Sequence, residues 1–401
     1  MTLRGPVLAL NAGSSSLKFG LFTGLDDGGA VLRGVIDERA AAPRLLAHGP
    51  DGAVLCDRRW PGDAAPGFAD QLAAVLALVE TRLGPQVLAG VGHRIVHGGP
   101  DHIRPASVTP ALMASLEALT PLDPLHMPHG LEPMRVMANA RPNMPQVACF
   151  DTAFHHTMPP VATRIAVPRA LAEAGLRRYG FHGLSYDYVA RRLKAVSPRL
   201  SQGRTVVAHL GAGASLCALL VGRSIATTMG FSVLDGLVMA TRCGSLDPGV
   251  ILYLWRQGRS LGEIETMLYA QSGLMGVSGI SGDMQVLLAS DGQNAREAID
   301  LFTYRVATET GALVSALGGL DGVVFTGGIG ENSAAVRAEI CLRLAWLGLR
   351  LDDNANRAHH PCISTPDSRI EVRIVATDEE AMIARHTRTA LRRNKASASA
   401  R

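Results

Sequence analysis

Residues 7–22 read V-L-A-L-N-A-G-S-S-S-L-K-F-G-L-F, and this stretch decides the fold that the sequence predicts. The apolar run V-L-A-L is typical of a buried strand, and a second strand-like run begins at Leu17. The residues between the two runs, N-A-G-S-S-S, are small and form turns readily. Two strand-like runs separated by turn residues predict an antiparallel β-hairpin.

Residues 206–222 repeat this plan with V-V-A-H, then L-G-A-G-A-S, then L-C-A-L-L-V. An offset of 199 residues aligns Val7 with Val206 and Leu17 with Leu216. A strand–turn–strand unit that recurs half a chain away indicates two related domains facing a shared cleft.

A third glycine-rich stretch, V-V-F-T-G-G-I-G-E-N-S at 323–333, predicts a strand that ends at Gly327 and a helix that begins near Asn332 or Ser333. Backbone N–H groups in such a turn can bind an anion, and a plain tight turn is the alternative. Periodicity predicts strands at 145–150 and 371–376. The same criterion predicts helices at 68–82, 110–119, 184–194, 294–317 and 334–346.

The composition fits a globular α/β protein of two or three domains, with 401 residues, 47% hydrophobic and 18% charged. The net charge of +4 comes from residues 385–401, which hold six basic and no acidic residues. We predict that this segment is a solvated, frayed tail. The remaining 33 basic and 35 acidic residues leave the body too near neutral for a nucleic-acid groove.

The cysteines form no C-x-x-C pair, and several lie in apolar runs, which is typical of unpaired thiols in a reducing compartment. No signal peptide is predicted. The uncharged stretch 205–222 is interrupted by glycines and by His209, which argues against a membrane span. We therefore predict a soluble cytoplasmic protein that binds neither membrane nor nucleic acid.

Four polar side chains stand where a ligand site is expected. Asp151 directly follows the predicted strand 145–150, and an acid at the carboxyl end of a buried strand favours a place in the ligand crevice over a helix cap. His182 lies in the glycine-bracketed loop Y-G-F-H-G. Arg94, in G-H-R-I-V-H-G-G, and Arg242, in T-R-C-G-S-L-D-P, are candidates for anion binding.

The acids of T-D-E-E-A-M-I-A, at 377–384, have two interpretations. They suit the positive N-terminus of a final helix that starts here. Alternatively they bind Mg²⁺, which is typically held by one or two carboxylates together with substrate phosphates.

Three other patterns are rejected. No lysine follows a glycine, which excludes a P-loop. His93 and His97 have i, i+4 spacing, but the residues between them indicate a strand, and no third metal ligand is evident. G-R-S-L-G at 258–262 has the form of a serine-hydrolase elbow, but the run before it looks helical, and Ser260 with Glu263 predicts a capping box.

Nine motifs, in order over residues 7–385, resemble those of the acetate kinases, which belong to the actin-like, sugar-kinase-like ATPase superfamily. They are N-A-G-S-S-S-L-K-F, G-H-R-I-V-H-G-G, P-L-H-M-P, F-D-T-A-F-H, Y-G-F-H-G-L-S, H-L-G-A-G-A-S, T-R-C-G-S-L-D-P, F-T-G-G-I-G-E-N and T-D-E-E. The resemblance implies two actin-like (ribonuclease H-like) α/β domains of mixed sheet flanked by helices, and a homodimer. It implies a first domain at 1–151 plus 385–401 and a nucleotide-binding and dimerisation domain at 152–384.

The resemblance also implies roles for individual residues. The arginines meet the acyl carboxylate and the transferring phosphoryl group, and the catalytic set is Arg94, His126, Asp151, His182 and Arg242. The metal ion, Mg²⁺ or Mn²⁺, is supported by Asn11 and Glu379. The acyl group meets Arg94 and four apolar residues, Val96, Leu125, Phe181 and Val233. The nucleotide, ATP or ADP, is bound by Ser14, Ser16, Lys18, His209, Leu210, Gly211, Ala212, Gly213, Asp283, Met284, Gln285, Gly328, Ile329, Gly330, Glu331 and Asn332.

The implied reaction is a reversible, direct in-line phosphoryl transfer between ATP and acetate, which yields acetyl phosphate and ADP. A carboxylate is already a nucleophile, so catalysis depends on alignment and on charge neutralisation at the phosphoryl oxygens. Asp151 is then an organiser of the site rather than a proton acceptor.

Three alternatives remain open. Propionate, or another short-chain acyl group, could replace acetate. A sugar or glycerol kinase would need a base for a hydroxyl group. A non-enzymatic ATP-switch protein would share the hairpins but would lack Arg94 and Arg242.

The chain departs from the family pattern at four places. The family usually has Asn where Ala212 stands, Arg where Gln285 stands and Pro where Val233 stands. It has S-G-D-I-D-P where this chain reads C-G-S-L-D-P. The first three departures concern nucleotide binding and the shape of the acyl pocket.

Overall fold

A computed structural model describes residues 5–13, 16–24, 29–37, 43–61 and 66–399. The chain divides into two compact units: unit 1 is Met1–Ala153 with Asp378–Arg401, and unit 2 is Phe154–Thr377. The domain boundaries implied by the resemblance lie after residues 151 and 384 and stay a prediction.

Unit 1 is built on a mixed eight-stranded sheet with the strand order β5-β4-β3-β2-β1-β6-β8-β7. Strand β1 is antiparallel to β2 and parallel to β6, and β6 is parallel to β8. The strands are β1 Val7–Ala12, β2 Ser16–Phe22, β3 Leu32–Asp37, β4 Arg44–His48, β5 Val54–Arg59, β6 Gly90–Ile95, β7 Ala106–Ser107 and β8 Gln146–Phe150. The unit's helices are α1 Phe68–Leu83, α2 Pro110–Ala118, α3 Met127–Ala140 and the final helix of the chain, Glu379–Ser399.

Unit 2 is built on a mixed five-stranded sheet with the order β11-β10-β9-β12-β13. Its strands are β9 Arg204–Leu210, β10 Ala214–Leu220, β11 Arg223–Thr227, β12 Gly322–Thr326 and β13 Glu371–Ile374. Its helices are α4 Pro160–Thr163, α5 Arg169–Glu173, α6 Gly183–Val196, α7 Pro198–Gln202, α8 Pro248–Arg256, α9 Leu261–Ala270, α10 Gly273–Ser278, α11 Met284–Leu288, α12 Gln293–Leu317, α13 Gly327–Asn332, α14 Ala334–Arg343 and α15 Asp353–Arg357. The final helix, Glu379–Ser399, is therefore α16.

Both predicted hairpins form, but their registers differ. The first pairs Val7 with Phe22, and the second pairs Val206 with Ala218. The offset of 199 residues would instead pair Val206 with Val221. The predicted offset is therefore wrong for the second strand, because each residue of β9 pairs with a residue three positions earlier than this offset requires. In each sheet, the first hairpin strand has a parallel strand on its other side, as expected of related units.

Most of the predicted elements are confirmed, and each has a local cause. Helix α1 buries Leu72, Val75, Leu76 and Val79 on one face, as its 3.6-residue periodicity requires. The capping box of Ser260 and Glu263 forms at the start of α9, so the hydrolase motif is a helix cap. Helix α3 was not predicted.

The glycine segment differs from its prediction. Helix α13 begins directly at Gly327, not near Asn332, and Ser333 caps the following helix α14 instead. Gly327 has φ +77°, and a Cβ at this position would lie 2.8 Å from the Leu210 carbonyl oxygen. The chain can therefore turn from β12 into a helix at once only because this residue is glycine.

The prediction of a frayed basic tail at 385–401 is wrong for most of that segment. Helix α16 packs on β1, β6 and β8, and Thr387 and Leu391 are buried. A Cβ at Gly92 would lie 2.0 Å from Thr387 Oγ1, so a glycine in β6 allows this close approach. Tertiary packing on the sheet, which local composition does not reveal, holds the helix.

Two further predictions concern the cysteines and the membrane. All six cysteines, Cys56, Cys149, Cys217, Cys243, Cys341 and Cys362, are unpaired, as predicted. Throughout the part of the chain that the structure describes, every helix is too short or too polar to cross a membrane.

Candidate active site

In unit 1, Arg94 and Asp151 form a buried ion pair. Arg94 is near the end of β6, and Asp151 directly follows β8, the parallel neighbour of β6. Arg94 Nε and Nη2 both donate to Asp151 Oδ2, at 2.9 and 2.6 Å. Nη1 of Arg94 is 3.4 Å from the carbonyl oxygen of Ala12, the last residue of β1. The guanidinium is thus fixed where three strands end.

The charge on Arg94 is secured by its surroundings. Burial alone would lower the pKa of this guanidinium, but the neighbouring carboxylates of Asp151, Glu379 and Asp123 outweigh that effect and raise the pKa above its ordinary value. Arg94 therefore stays cationic and suits the binding of an anionic group.

Asn11 and two glutamates form an oxygen-rich cluster in the same unit. The Asn11 amide donates to Glu379 Oε2 at 2.9 Å and to Glu380 Oε1 at 2.8 Å. Burial, followed by the adjacent charge of Glu379, raises the pKa of Glu380. Asp378 caps helix α16 by accepting from Ala381 N, so the helix-cap interpretation holds for Asp378, whereas the two glutamates face Asn11.

This cluster fits a hard divalent cation. Within the described residues, no group of three or more His, Cys, Asp and Glu side chains is arranged to hold a metal ion. A pair of crowded carboxylates with one amide is nevertheless the donor set that Mg²⁺ uses when substrate phosphates supply the remaining ligands. Lys18 pairs in register with Asn11 across the hairpin, and its charge lowers the pKa of Glu380, so it lies at the same place.

His126 is held by a residue that the sequence did not single out. Its Nδ1 lies 2.9 Å from Oδ1 of Asp123, and its backbone N–H donates to the same oxygen at 3.2 Å. Asp123 is completely buried. A spacing of three residues across one proline, Pro124, gives no recognisable signal for such a pair.

The remaining predicted residues of unit 1 differ in exposure. Val96 is buried, Ser16 is half-buried, and Leu125 is 43% exposed. Ser14 lies outside the described residues.

In unit 2, His182 occupies a strained position at the start of α6. Its φ is +56°, in the left-handed region, which is uncommon for residues other than glycine. Nδ1 lies 2.8 Å from Ser215 Oγ, and the ring stacks on His209 with centroids 4.3 Å apart. Tyr186 also reaches Ser215, and Ser185 holds the His209 ring at Nδ1. Strain at a residue held this firmly is typical of functional sites.

Arg242 and His182 converge on the turn of the second hairpin. A Cβ built on Gly213 would lie 2.9 Å from Arg242 Nη2 and 3.3 Å from His182 Nε2. Nη1 of Arg242 donates to the Val233 carbonyl oxygen at 2.8 Å. The backbone of the turn, a guanidinium and an imidazole thus meet at one point, which is an arrangement suited to an anion.

His155 holds the loop that carries His182 through a hydrogen bond to the loop backbone. Nε2 of His155 is 2.9 Å from the carbonyl oxygen of Phe181, and Nδ1 is 2.8 Å from Ser224 Oγ. Burial lowers the pKa of His155 to about 4, so its ring is neutral near pH 7. Its motif, F-D-T-A-F-H, was noticed in the sequence, but only the fold gives this histidine a partner.

The glycine segment of α13 adjoins the second hairpin. A Cβ on Gly211 would lie 3.8 Å from the backbone nitrogen of Gly328. Glu331 does not point outward, because its carboxylate accepts from the backbone N–H groups of Gly327, at 2.8 Å, and Thr377, at 3.1 Å. Glu331 therefore fixes the segment, and the exposed Gly328 and Asn332 are left to meet a ligand.

Residues 283–285 lie on the same side of unit 2 as that hairpin. The carbonyl of Ala212 accepts from Ala240 N, and a Cβ on Gly282 would lie 2.8 Å from the Ala240 carbonyl oxygen. Asp283 caps α11 by accepting from Gln285 N. The side chain of Gln285 is exposed, whereas the side chains of four other predicted residues are buried: Met284, Leu210, Phe181 and Val233. Ile329 is half-buried and Gly330 is buried.

Comparisons with known proteins give the family. The model of the acetokinase family matches residues 6–385. The acetate kinase of Rhodopseudomonas palustris strain CGA009 is 50% identical over 387 residues, which cover 95% of this chain and 97% of that protein. The acetate kinase of Rhizobium meliloti is 46% identical over 384 residues, with coverage of 95% and 97%.

Two solved structures are similar along nearly their whole length. A propionate kinase from Francisella tularensis has 34% identity and a TM-score of 0.86, covering 95% of this chain and 98% of that one. The acetate kinase of Porphyromonas gingivalis has 33% identity and a TM-score of 0.84, with coverage of 96% and 100%. The resemblance of the nine motifs is thereby confirmed, and the chain belongs to the acetokinase family.

Proposed function

We propose that this protein transfers the γ-phosphoryl group of ATP to acetate, reversibly, to give acetyl phosphate and ADP. Among the contacts described, the one that carries the proposal is the double hydrogen bond from Arg94 to Asp151. A kinase for a hydroxyl acceptor needs a carboxylate that can take a proton. Asp151 is instead buried and committed to a guanidinium, which suits an acceptor that is already ionised.

The proposed mechanism divides the work between anion binding and charge neutralisation. Arg94 binds the acetate carboxylate and holds one oxygen for in-line attack on the γ-phosphorus. Arg242 and His182 donate hydrogen bonds to the equatorial oxygens of the transferring group, where charge is largest in the transition state. The P–O bond to ADP breaks as the carboxylate–phosphorus bond forms, and no proton moves.

Mg²⁺ would be held in unit 1 by Asn11 and Glu379, and when bound it would neutralise charge on the ATP phosphates. Lys18 and the backbone N–H groups of Gly211 and Gly213 are proposed to bind phosphate oxygens. Gln285 and Asn332, which are exposed, are proposed to meet the adenosine part of the nucleotide.

The proposal is tested by incubating the purified chain with ATP, Mg²⁺ and acetate and trapping acetyl phosphate as its hydroxamate. We expect product only with all three, and none after the metal is chelated with EDTA. Parallel reactions with glycerol and glucose should release no ADP. Phosphorylation of either hydroxyl acceptor, or the absence of acyl phosphate with every carboxylate, would contradict the proposed reaction.

Propionate is a second candidate substrate because Val233 replaces the family's proline and one similar structure is a propionate kinase. Each added methylene changes binding by only about 1–3 kcal/mol. We expect kcat/KM to be highest for acetate, within about 100-fold of it for propionate, and far lower for butyrate. Steady-state kinetics with the three acids checks this order, and a preference for butyrate would refute the assignment of Val96, Leu125, Phe181 and Val233.

Ala212 is the departure that bears most directly on the nucleotide. It is exposed in the turn of the second hairpin, where alanine offers no side-chain donor. A hydrogen bond to a charged group contributes about 1.5–3 kcal/mol. We expect Ala212→Asn to raise kcat with acetate several-fold if this bond forms mainly in the transition state, and to lower only KM for ATP if it forms equally in the ground state. Unchanged or reduced kcat/KM would show that the turn is adapted to alanine.

We also propose that the protein is a homodimer. Helix α8 has no buried residue, and its Tyr253 and Trp255 are 60% and 59% exposed. Leu261, at the start of α9, is 71% exposed. Large apolar side chains exposed together are typical of an interface. Light scattering should give twice the chain mass, and Trp255→Glu should shift that mass toward one chain.

A further inference from the structure

We propose that Asp123 is a positioning residue for His126: it fixes a proton on Nδ1 of the imidazole and leaves Nε2 as the atom that meets the substrate. This inference rests on the proposed function, in which His126 supports the transferring phosphoryl group. Asp123 lies four residues beyond the predicted helix 110–119, and the proposed mechanism gives it no role.

Asp123 and His126 form a close pair. Nδ1 of His126 and Oδ1 of Asp123 are 2.9 Å apart, and the same oxygen accepts the backbone N–H of His126 at 3.2 Å. An ionised carboxylate can only accept hydrogen bonds, so Nδ1 must be the protonated nitrogen. Nε2, on the opposite edge of the ring, is then the atom presented to a ligand. The His126 side chain is 17% exposed, which leaves room for such a contact.

The segment P-L-D-P-L-H-M-P, at 121–128, is rigid. Its prolines fix their own φ angles near −65° and favour an extended residue before them. Asp123 has φ −151° and ψ 76°, outside the helical region that Pro124 disfavours for the residue before it. Its backbone N–H donates to the Thr120 carbonyl at 3.1 Å, and its own carbonyl accepts from Met127 N, at the start of α3, at 3.0 Å. The carboxylate is therefore held in place from both sides.

Burial of the Asp123 carboxylate is energetically unfavourable. Asp123 is 0% exposed, and its Oδ2 has no hydrogen-bond partner in the part of the chain that the structure describes. Burial of an incompletely satisfied carboxylate is unfavourable, and the partners that Asp123 gains in return are the backbone N–H and the ring nitrogen of His126. Burial lowers the pKa of His97 to about 4 and the charge of Asp123 only partly opposes this, whereas the Asp123 carboxylate lies within hydrogen-bonding distance of the His126 ring.

A carboxylate that binds one ring nitrogen can orient a functional histidine, and Asp123 binds His126 in this way. The partner of one ring nitrogen decides which tautomer is present and which edge of the ring faces the ligand. Without such a partner, a neutral histidine carries its proton mainly on Nε2. Loss of Asp123 would thus exchange the roles of the two nitrogens and free the ring to rotate.

The test uses the full chain and two variants, Asp123→Ala and Asp123→Asn. Two-dimensional ¹⁵N–¹H spectra of the imidazole groups, recorded at a pH where His126 is neutral and assigned with His126→Gln, report the tautomer directly. We expect an Nδ1–H tautomer in the parent protein, an Nε2–H tautomer in Asp123→Ala, and an Nδ1–H tautomer in Asp123→Asn, whose amide oxygen can still accept.

The kinetic readout should follow the tautomer. We expect Asp123→Ala to lower kcat by about 10–100-fold, the usual effect of removing a group that orients a functional histidine. The KM values for ATP and acetate should change by no more than about two-fold, because the contact matters in the transition state. Asp123→Asn should restore most of the lost kcat.

Ser115→Ala is a matched control in the same unit. Ser115 Oγ lies 3.0 Å from Nε2 of His102, a histidine outside the proposed site. This variant should alter the His102 signals and leave kcat unchanged, which separates an effect on His126 from a general effect of removing a histidine's partner.

Four outcomes would overturn the inference. His126 could keep its tautomer in Asp123→Ala, kcat could stay within about two-fold, or Asp123→Asn could lose as much activity as Asp123→Ala. A rise in KM for acetate alone would also overturn it, since Asp123 would then act on Arg94. If Asp123→Ala does not fold, the tautomer and kcat of Asp123→Asn decide. If the parent protein makes no acyl phosphate, the proposed reaction fails, and the spectra still decide whether Asp123 sets the His126 tautomer.

Discussion

Arg242→Ala is expected to lower kcat for acetyl phosphate formation by about 10³–10⁵-fold, the range typical of an arginine that stabilises a phosphoryl-transfer transition state. One end of its guanidinium is held by the Val233 carbonyl, at 2.8 Å. The other end, Nη2, would lie 2.9 Å from a Cβ on Gly213, beside His182. The side chain therefore needs no rearrangement to meet an anion at this turn. Steady-state kinetics with saturating ATP and acetate measures the loss.

Two further variants separate a specific role of the Arg242 guanidinium from a general effect of losing a positive charge. Arg242→Lys should recover little activity, because a point charge cannot donate to Val233 and to a ligand at once as the planar guanidinium does. Arg259→Ala, which removes an exposed arginine of the same unit, should leave kcat unchanged. If Arg242→Ala turned over within ten-fold of the parent protein, Arg242 would have no place in the reaction.

Asp151→Asn is expected to lower kcat/KM for acetate by about 100-fold or more. The substitution should let the Arg94 guanidinium shift, and a misplacement of about 1 Å in an aligning group lowers the rate by about 100-fold. The same substitution should lower the free energy of unfolding by about 3–5 kcal/mol, since it leaves Arg94 charged and without its closest counter-ion. Asp151 is fully buried and accepts both hydrogen bonds on Oδ2. Urea unfolding and acetate kinetics measure the two effects.

Asp57→Asn is the matched control for a surface ion pair in unit 1. Asp57 binds Arg44 at 2.7 Å, but the two side chains are 44% and 35% exposed. A solvent-exposed ion pair adds little net stability, so this variant should unfold and turn over like the parent protein. Equal destabilisation by Asp57→Asn and Asp151→Asn would argue against a buried, organising role for Asp151.

Local patterns in the sequence predicted the parts of the fold that local physics controls. The hairpin at 7–22, helix α12 and the capping box at Ser260 are where they were expected. Strand alternation, helical periodicity and a side chain that caps its own helix all act over a few residues. Such features can be recognised without knowing what packs against them.

The tail and the second hairpin show where local patterns fail. The basic residues of 385–394 are typical of a solvated segment, yet Thr387, Ala390 and Leu391 are buried against the sheet of unit 1. The offset of 199 residues fails for β10, the second strand of the second hairpin. Strand register depends on where the chain reverses direction, and similar residues do not reveal that point. In both cases, the deciding contact is made with a segment that is distant along the chain.

For the candidate site, the sequence by itself determined the chemistry that is present: the arginines, Asp151, His182, the glycine turns and the acids at 378–380. Only the tertiary structure decided what each side chain does with its neighbours. In the folded chain, Asp151 accepts hydrogen bonds from Arg94, and Glu331 accepts one from the backbone of Gly327. Asp123 is hydrogen-bonded to the His126 ring. The physical reason is that motifs record residue types along one dimension. Hydrogen bonds and buried charges depend instead on distances across strands and turns, which exist only once the chain has folded.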